Sequence, residues 1–479
     1  MYVHVDNEGR DVPGATVLME DFKMDYELDE LELTGYSRLV IYHPDNITKI
    51  TATVHRFIGD KTGQFHLRIN QTIFVEVRES ETNRTEAPCS YLIDQGAEMV
   101  LPAEFHTHGV RTIIHGRMTG VHFLFIEDRA VLTMSSTSQT ALVENRTYID
   151  ITEPGNSSFA HAIVKKGGLF NLRRISQNLV LLNTALLEIQ YEGTISINHG
   201  HITSSFCQIE TKGVIILDGL GHRSAGGPGA GSAPSGYGSG ASHGGQGGTA
   251  YNSYNDGQAY GSVFSPQGFG SGGGGSSGGS GGGSLHLRIS KQLNLDGLIS
   301  AAGQSATISY SGGGSGGSIL IETMNMTGHG EVSVNGGNCP SNCGGGAGGR
   351  IGVHVDFQNN YGGTFRAIGG TSGTPLYSGA AGTVYKYESR RGPQYRELKY
   401  NKEKNITSFK PTHSKLKVDN EHLMVDTPTV IMENKTVFYE FDETQVEGHS
   451  TVVFYHPTGA KNVTVIAHEV TGDKLVLYD

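Results

Sequence analysis

Short runs in which apolar and polar residues alternate recur along this chain, most of them closed by glycine or proline. LHLRIS (285–290), SILIET (318–323), RIGVHV (350–355) and TVYKYE (383–388) follow this pattern. A period of two sends alternate side chains to opposite faces, so these runs read as half-buried strands. Helical spacing is scarce, and the pattern predicts an all-β protein.

The runs are themselves periodic. The glycine before each falls at 283, 317, 349 and 382, giving spacings of 34, 32 and 33. A second series, GLISAAG (297–303), GEVSVNG (330–336) and GTFRAIG (363–369), repeats every 33 residues. Two short strands per period with glycine at the corners predict a glycine-rich parallel β-solenoid, a β-helix-like fold. The register places Leu285, Ile319, Ile351 and Val384 in one column and Leu287, Ile321 and Val353 in the next. Lys386 falls in the second column, so the core is expected to end there or the register to shift. Less regular strands extend upstream to about residue 100.

Residues 223–284 are rich in Gly and Ser and read as the longest corner loop, expected to be mobile in part. Glycine suits such corners because φ > 0 costs it nothing. On this reading the glycines of 271–283 are surface material, and deleting some should be tolerated.

The two ends of the chain match. VDNE, TVLME, YELDE, YHP and GDK near the start return as VDNE, TVIME, YEFDE, YHP and GDK, each offset by 413 residues. Residues 5–61 agree with 418–474 at 24 of 57 positions without a gap. The chain is therefore expected to be a fragment of a longer tandem array, holding one whole unit and the start of another. Any signal peptide or anchor is then expected outside it. The repeated segment, with strands such as YSRLVIYHP, is expected to form a small antiparallel β-sandwich. The resulting division is a sandwich-like segment over 1–100, a solenoid over 101–390, and a linker with a truncated second copy over 391–479.

Composition narrows the partners. The net charge of −11 offers no basic stripe, which weighs against nucleic acid and anionic membrane surfaces. No stretch approaches the roughly 18 apolar residues of a membrane-spanning helix. Asn-X-Ser/Thr occurs at Asn46, Asn70, Asn83, Asn145, Asn156, Asn325, Asn405, Asn434 and Asn462. These nine sequons point to the secretory pathway and an extracellular or cell-surface location. Of the four cysteines, Cys339 and Cys343 (CPSNC) are expected to close a local disulfide. Cys89 and Cys207 are left open.

Catalytic signals are weak. A β-helix enzyme acting on polysaccharide needs clustered carboxylates. Glu322, Glu331 and Asp356 fall at unlike places in their rungs, and Asp218 and Asp296 read as turn residues. Asp25, Glu27, Asp29 and Glu30 read as a solvated acidic turn rather than a calcium site. The pairs His106/His108 and His199/His201 share a strand face but read as surface histidines before metal ligands. GGGAGGR lacks the ending of a phosphate loop. No catalytic, cofactor or metal residue is assigned.

The pattern of SGASHGGQGG (238–247), FGSGGGGSSGGSGGGSLHLRIS (269–290), GGGSGGSILI (312–321) and GGGAGGRIGV (344–353) resembles the glycine-rich core of large, largely uncharacterised extracellular or cell-surface proteins of plants, protists and invertebrates. The resemblance spans about residues 190–390. It implies a secreted or membrane-anchored location and supplies no activity. The sequence thus points to a non-enzymatic structural or adhesive glycoprotein module. Extracellular glycans and matrix or cell-surface proteins are its candidate partners. The alternative is a polysaccharide-binding or polysaccharide-cleaving β-helix protein.

Overall fold

The computed structural model describes residues 1–18, 25–41, 49–68, 71–75, 85–94, 97–102, 104–108, 110–114, 117–119, 123–127, 131–134, 140–143, 148–150, 156–164, 169–172, 179–252, 257–374, 376–389, 413–433, 438–456 and 462–472. Among them every regular element is a strand. None is a helix long and apolar enough to cross a membrane. The chain divides into two compact units. One is Met1–Ile175 with Val180–Ser196, the other Ser176–Leu179 with Ile197–Asp479.

In the first unit the strands pair in parallel from the start. Tyr2–Asp6 pairs with Glu30–Thr34, and that strand with Phe57–Gly59. Thr16–Leu18 opens a ladder that continues through Arg38–Ile41, Gln64–Leu67, Ser90–Ile93 and Arg111–Ile114. Asp25–Leu28, Ile50–Val54, Gln71–Val75 and Glu98–Val100 form another. This corrects the antiparallel sandwich expected for residues 1–100. Alternation marks a strand with one buried face but does not fix the direction of its partner. The core rests on that alternation, with Leu39, Ile41, Ala52, Val54, Phe65 and Leu67 buried.

The second unit carries the columns expected from the 33-residue period. Leu285, Ile319, Ile351 and Val384 are in register, as are Leu287, Ile321, Val353 and Lys386. The series Leu298–Ser300, Glu331–Ser333 and Thr364–Arg366 forms its own parallel ladder. At Lys386 the register does not slip, but the direction changes. Thr383–Glu388 pairs antiparallel with His413–Asp419. Beyond it, His413–Asp419, Phe438–Glu447 and Thr464–Gly472 again pair in parallel, so the second sandwich-like segment, expected within 391–479, is corrected in the same way.

The internal repeat holds at the level of backbone pairing. Val3↔Leu31 and Val5↔Leu33 become Leu416↔Thr444 and Val418↔Val446, each 413 residues on. Thr16↔Leu39 becomes Thr429↔Val452, and Tyr26↔Ala52 becomes Tyr439↔Val465. Side chains repeat too. His55 Nε2 lies 3.1 Å from Glu27 Oε1, and His468 Nε2 lies 3.0 Å from Glu440 Oε1. Glu8 N donates to Asp6 Oδ1 and Glu421 N to Asp419 Oδ1, both at 2.8 Å. Gly35 and Gly448 turn at φ 60° and 64°, and a Cβ on either would strike the Asp6 or Asp419 carboxylate.

The glycine runs form the interior of the second unit. Gly312 and Ser315 donate to the Gly274 and Ser271 carbonyls, Gly313 and Gly316 to Gly344 and Ala347, and Gly314 and Gly317 to Gln304 and Ala301. The donor direction thus repeats every third residue, as in a polyproline-II-like chain of three residues per turn. Segment 344–349 follows the same rule. Gly344 and Ala347 donate to Gly238 and Ala241, Gly345 and Gly348 to Tyr377 and Ala380, and Gly346 and Gly349 to Gly337 and Val334. Such a chain makes no hydrogen bonds within itself, so its amides are satisfied sideways by parallel and antiparallel neighbours. Backbones approach closely because no side chain intervenes. The described parts of 223–284 belong to this bundle, with Ser271 to Gly274 and Gly281 to Ser284 buried. Where 223–284 is described, the expectation that its glycines are surface material is corrected: glycine here is a packing residue.

A polar knot pins the bundle to the strands. Arg350 is fully buried. It donates to Tyr260 O at 2.9 Å, Thr383 Oγ1 at 3.2 Å and Val430 O at 2.9 Å. Burial pulls its pKa down to about 10, partly offset by Glu433. His243, also fully buried, stacks on Tyr260, and its Nδ1 lies 2.7 Å from Gly316 O. A carbonyl only accepts, so Nδ1 carries the proton.

Candidate functional site

A groove of about 630 Å³ opens in the second unit where one ladder stops and another continues. Thr364–Arg366 is the last strand of its ladder, whereas the neighbouring ladder runs on through Thr383–Glu388 to His413–Asp419. Phe365 and Arg366 come from the first, Val384 and Lys386 from the second, Lys417 and Asp419 from the third. Glu331 and Glu421 complete the charged lining.

Lys386 occupies a column that is otherwise apolar. Its Nζ sits 4.4 Å from the centre of the Phe365 ring, a cation–π contact. Burial pushes its pKa below the usual lysine range, and Lys415 and Lys417 push the same way against Glu388 and Glu443. Arg366 donates to Glu421 Oε2 at 2.6 Å, while its Nε is buried with no partner among the described residues. Lys417 Nζ lies 3.0 Å from Asp419 and 3.8 Å from Glu447. The groove therefore combines the cations Arg366, Lys386 and Lys417 with carboxylate acceptors, and leaves the Arg366 Nε donor without a partner among the described residues. It suits a ligand carrying both an acidic group and hydroxyls. Among these residues Lys386 stood out in the sequence as the charge that broke a column, and Glu331 as one of the carboxylates weighed for catalysis. The others come from segments far apart in the chain.

The other residues singled out from the sequence lie elsewhere. Asn46, Asn70, Asn83, Asn145, Asn405 and Asn434 fall outside the described residues. Asn156 opens the strand Asn156–Val164, Asn325 lies within Ser318–Gly328, and Asn462 is exposed. Asn325 donates through Nδ2 to Lys291 O at 3.1 Å, and its Oδ1 is buried without a partner among the described residues. Cys339 and Cys343 are joined in a disulfide. Cys89 and Cys207 are buried free thiols, and burial pushes Cys207 up to about 12, so neither is a poised nucleophile.

Among the described side chains, the acidic and histidine clusters have separate partners. Glu27, Asp29 and Glu30 each face a different partner: His55, the Met1 amino group and Arg56. Asp218 accepts from Ser300 Oγ and Ala302 N, and Asp296 from His329 N, which are contacts between successive turns. Glu322 Oε2 lies 3.0 Å from His286 Nε2, and its Oε1 lies 3.8 Å from His354 Nδ1. His201 stacks on His286, while His199 meets Phe269. The side chains of His106 and His108 lie outside the description. Among the described residues no group of three or more His, Cys, Asp or Glu is placed to hold a metal ion. Neither a protein family, nor a curated protein, nor a solved structure matches this chain.

Proposed function

We propose that the chain is a structural or adhesive module of an extracellular tandem-repeat glycoprotein, with its parallel ladders as successive turns of a glycine-rich β-solenoid. The observation that carries this reading is the recurrence of strand register and turn contacts after 413 residues. Several residues shared by the two copies set backbone geometry: Asp6 and Asp419 at a turn, Gly35 and Gly448 at left-handed positions, and His55–Glu27 and His468–Glu440 between adjacent strands. Repetition that preserves contacts of this kind favours a scaffold over a single reactive centre. The sequons and the Cys339–Cys343 bridge suit an oxidising, glycosylating compartment. The net charge weighs against nucleic acid as a partner.

The test is expression through a eukaryotic secretory pathway, with intact mass measured before and after enzymatic removal of N-glycans. A mass loss that peptide mapping assigns to sites including the exposed Asn462 is expected. Asn325, whose amide is engaged in the ladder, is expected to stay bare. An unchanged mass would remove the extracellular assignment.

A second reading, a polysaccharide-binding or polysaccharide-cleaving β-helix protein, draws on the groove around Lys386. Incubation with acidic polysaccharides separates its two forms. New reducing ends mean cleavage, and retention without turnover means binding.

A further inference from the structure

The glycine bundle ends in a set of stacked turns that the groove does not include. Segments 305–311, 338–343 and 371–374 follow one another at the 33-residue period. Ala306 N donates to Asn338 O and Cys339 N to Thr371 O, both at 2.9 Å. The turn at 233–238 joins them, because Gly238 N donates to Tyr310 O at 2.7 Å. The turn at 250–252 lies against it, with Ser235 Oγ donating to Tyr251 O at 3.4 Å.

Three tyrosines meet there from three different segments. The Tyr237 ring lies 5.3 Å from Tyr251 and 5.1 Å from Tyr310, edge-on to both. Tyr251 and Tyr310 are about half exposed, at 48 % and 50 %, as is Ile308 at 49 %. No hydrogen-bond partner is found for the three phenol groups among the described residues. Tyr310 is held at φ 70° and the neighbouring Asn342 at φ 56°. A left-handed backbone is costly for a bulky side chain. In a segment so rich in glycine, a plain turn would use glycine there.

The chemistry of the surface narrows its ligand. The described residues of these turns include no Lys, Arg, Asp or Glu, in a protein of net charge −11. They offer Tyr, Ser, Thr and Asn on backbones fixed by the bundle and, at 339–343, by the disulfide. Aromatic faces pack against the C–H faces of sugar rings, and free hydroxyls and amides hydrogen-bond to sugar hydroxyls. Rigid Tyr-rich loops on a firm scaffold give up little conformational entropy on binding.

We infer that the tyrosine cluster Tyr237–Tyr251–Tyr310 at the turns of the glycine bundle is a binding surface for neutral saccharides. This rests on the adhesive reading above and supplies its ligand class. The test titrates the full chain with neutral hexasaccharides of glucose, mannose, galactose and N-acetylglucosamine, followed by calorimetry. An acidic polysaccharide, heparin, is run beside them. Tyr251→Ser with Tyr310→Ser, both at exposed positions, should weaken binding of the preferred neutral sugar at least tenfold with an unchanged melting temperature. Tyr455→Ser, at an equally exposed tyrosine (47 %) outside these turns, should leave that binding intact. The inference is overturned if none of the four sugars binds, if the tyrosine variant binds as well as the parent chain, or if only heparin binds. A protein ligand captured on the same tyrosines without sugar binding would also overturn it. The N-glycan mass measurement is independent, so failure of this inference and failure of the extracellular reading are told apart.

Discussion

A Cβ on Gly313 would sit 2.0 Å from the Gly337 carbonyl oxygen, and one on Gly346 would sit 2.0 Å from that of Gly314. Both obstacles are backbone, which has no rotamer to move away. Gly313→Ala should therefore destabilise the second unit by about 2 kcal/mol or more, in the upper part of the usual range for overpacking or beyond it. Gly14 has open space around it, and Gly14→Ala should stay within about 0.5 kcal/mol of the parent. Denaturant unfolding of both variants checks this, and equal effects would remove the close-packed bundle. His243 gives a second prediction at this scale. Burial drives its pKa down to about 3, reinforced by Arg350, against an ordinary value of about 6.5. Below pH 6.5 the unfolded chain binds a proton that the folded chain refuses. Stability should thus fall as pH drops from 6.5 toward 3, by about 1.4 kcal/mol per unit across the middle of that window. Relative to His243→Gln, the parent should lose about 2 kcal/mol more between pH 7 and pH 5. The same loss in both proteins would mean that His243 is not held neutral.

Strands were legible from the sequence wherever one face is buried, because burial imposes a period of two. Columns were legible because a parallel ladder stacks equivalent positions, as with Leu287, Ile321 and Val353. Ile321 is fully buried between its neighbours in that column, and Ile321→Asp should cost about 3 kcal/mol or more through an unpaired buried carboxylate. A variant that unfolds like the parent would show that the column is not a core. Pairing direction in the repeated segments was not legible, since parallel and antiparallel strands share the same alternation. Nor was the bundle. A glycine chain has no side-chain pattern, and its three-fold order appears only in hydrogen bonds such as those of Gly312, Gly313 and Gly314. The groove escaped for another reason: Arg366, Lys386 and Glu421 meet only through the change of ladder direction after Thr383–Glu388. The tyrosines of the turns escaped because Tyr237, Tyr251 and Tyr310 belong to three segments that only the bundle brings together.

In a ladder whose strands touch only their neighbours, stability is a sum of local interfaces, and damage stays local. The second unit departs from that. Segment 238–248 bonds to neighbours distant in sequence. Ala241 N donates to Gly313 O, Gly244 N to Gly348 O and Gln246 N to Pro428 O, while Ala347 N donates to Ala241 O and Val430 N to Gly244 O. Arg350 adds links to Tyr260, Thr383 and Val430. These cross-connections tie the 33-residue turns to the second copy of the repeat, so the whole unit should open together. Hydrogen exchange followed by mass spectrometry on Gly313→Ala reads this directly. Protection should fall by a similar factor in Ser284–Leu295, Ser318–Gly328 and His413–Asp419, although the last lies about a hundred residues from the substitution. Strands of the first unit, such as Ile50–Val54 and Ser90–Ile93, should exchange as in the parent. Loss of protection confined to 301–349 would mean that the bundle packs without coupling, and that the unit behaves as a plain stack of turns.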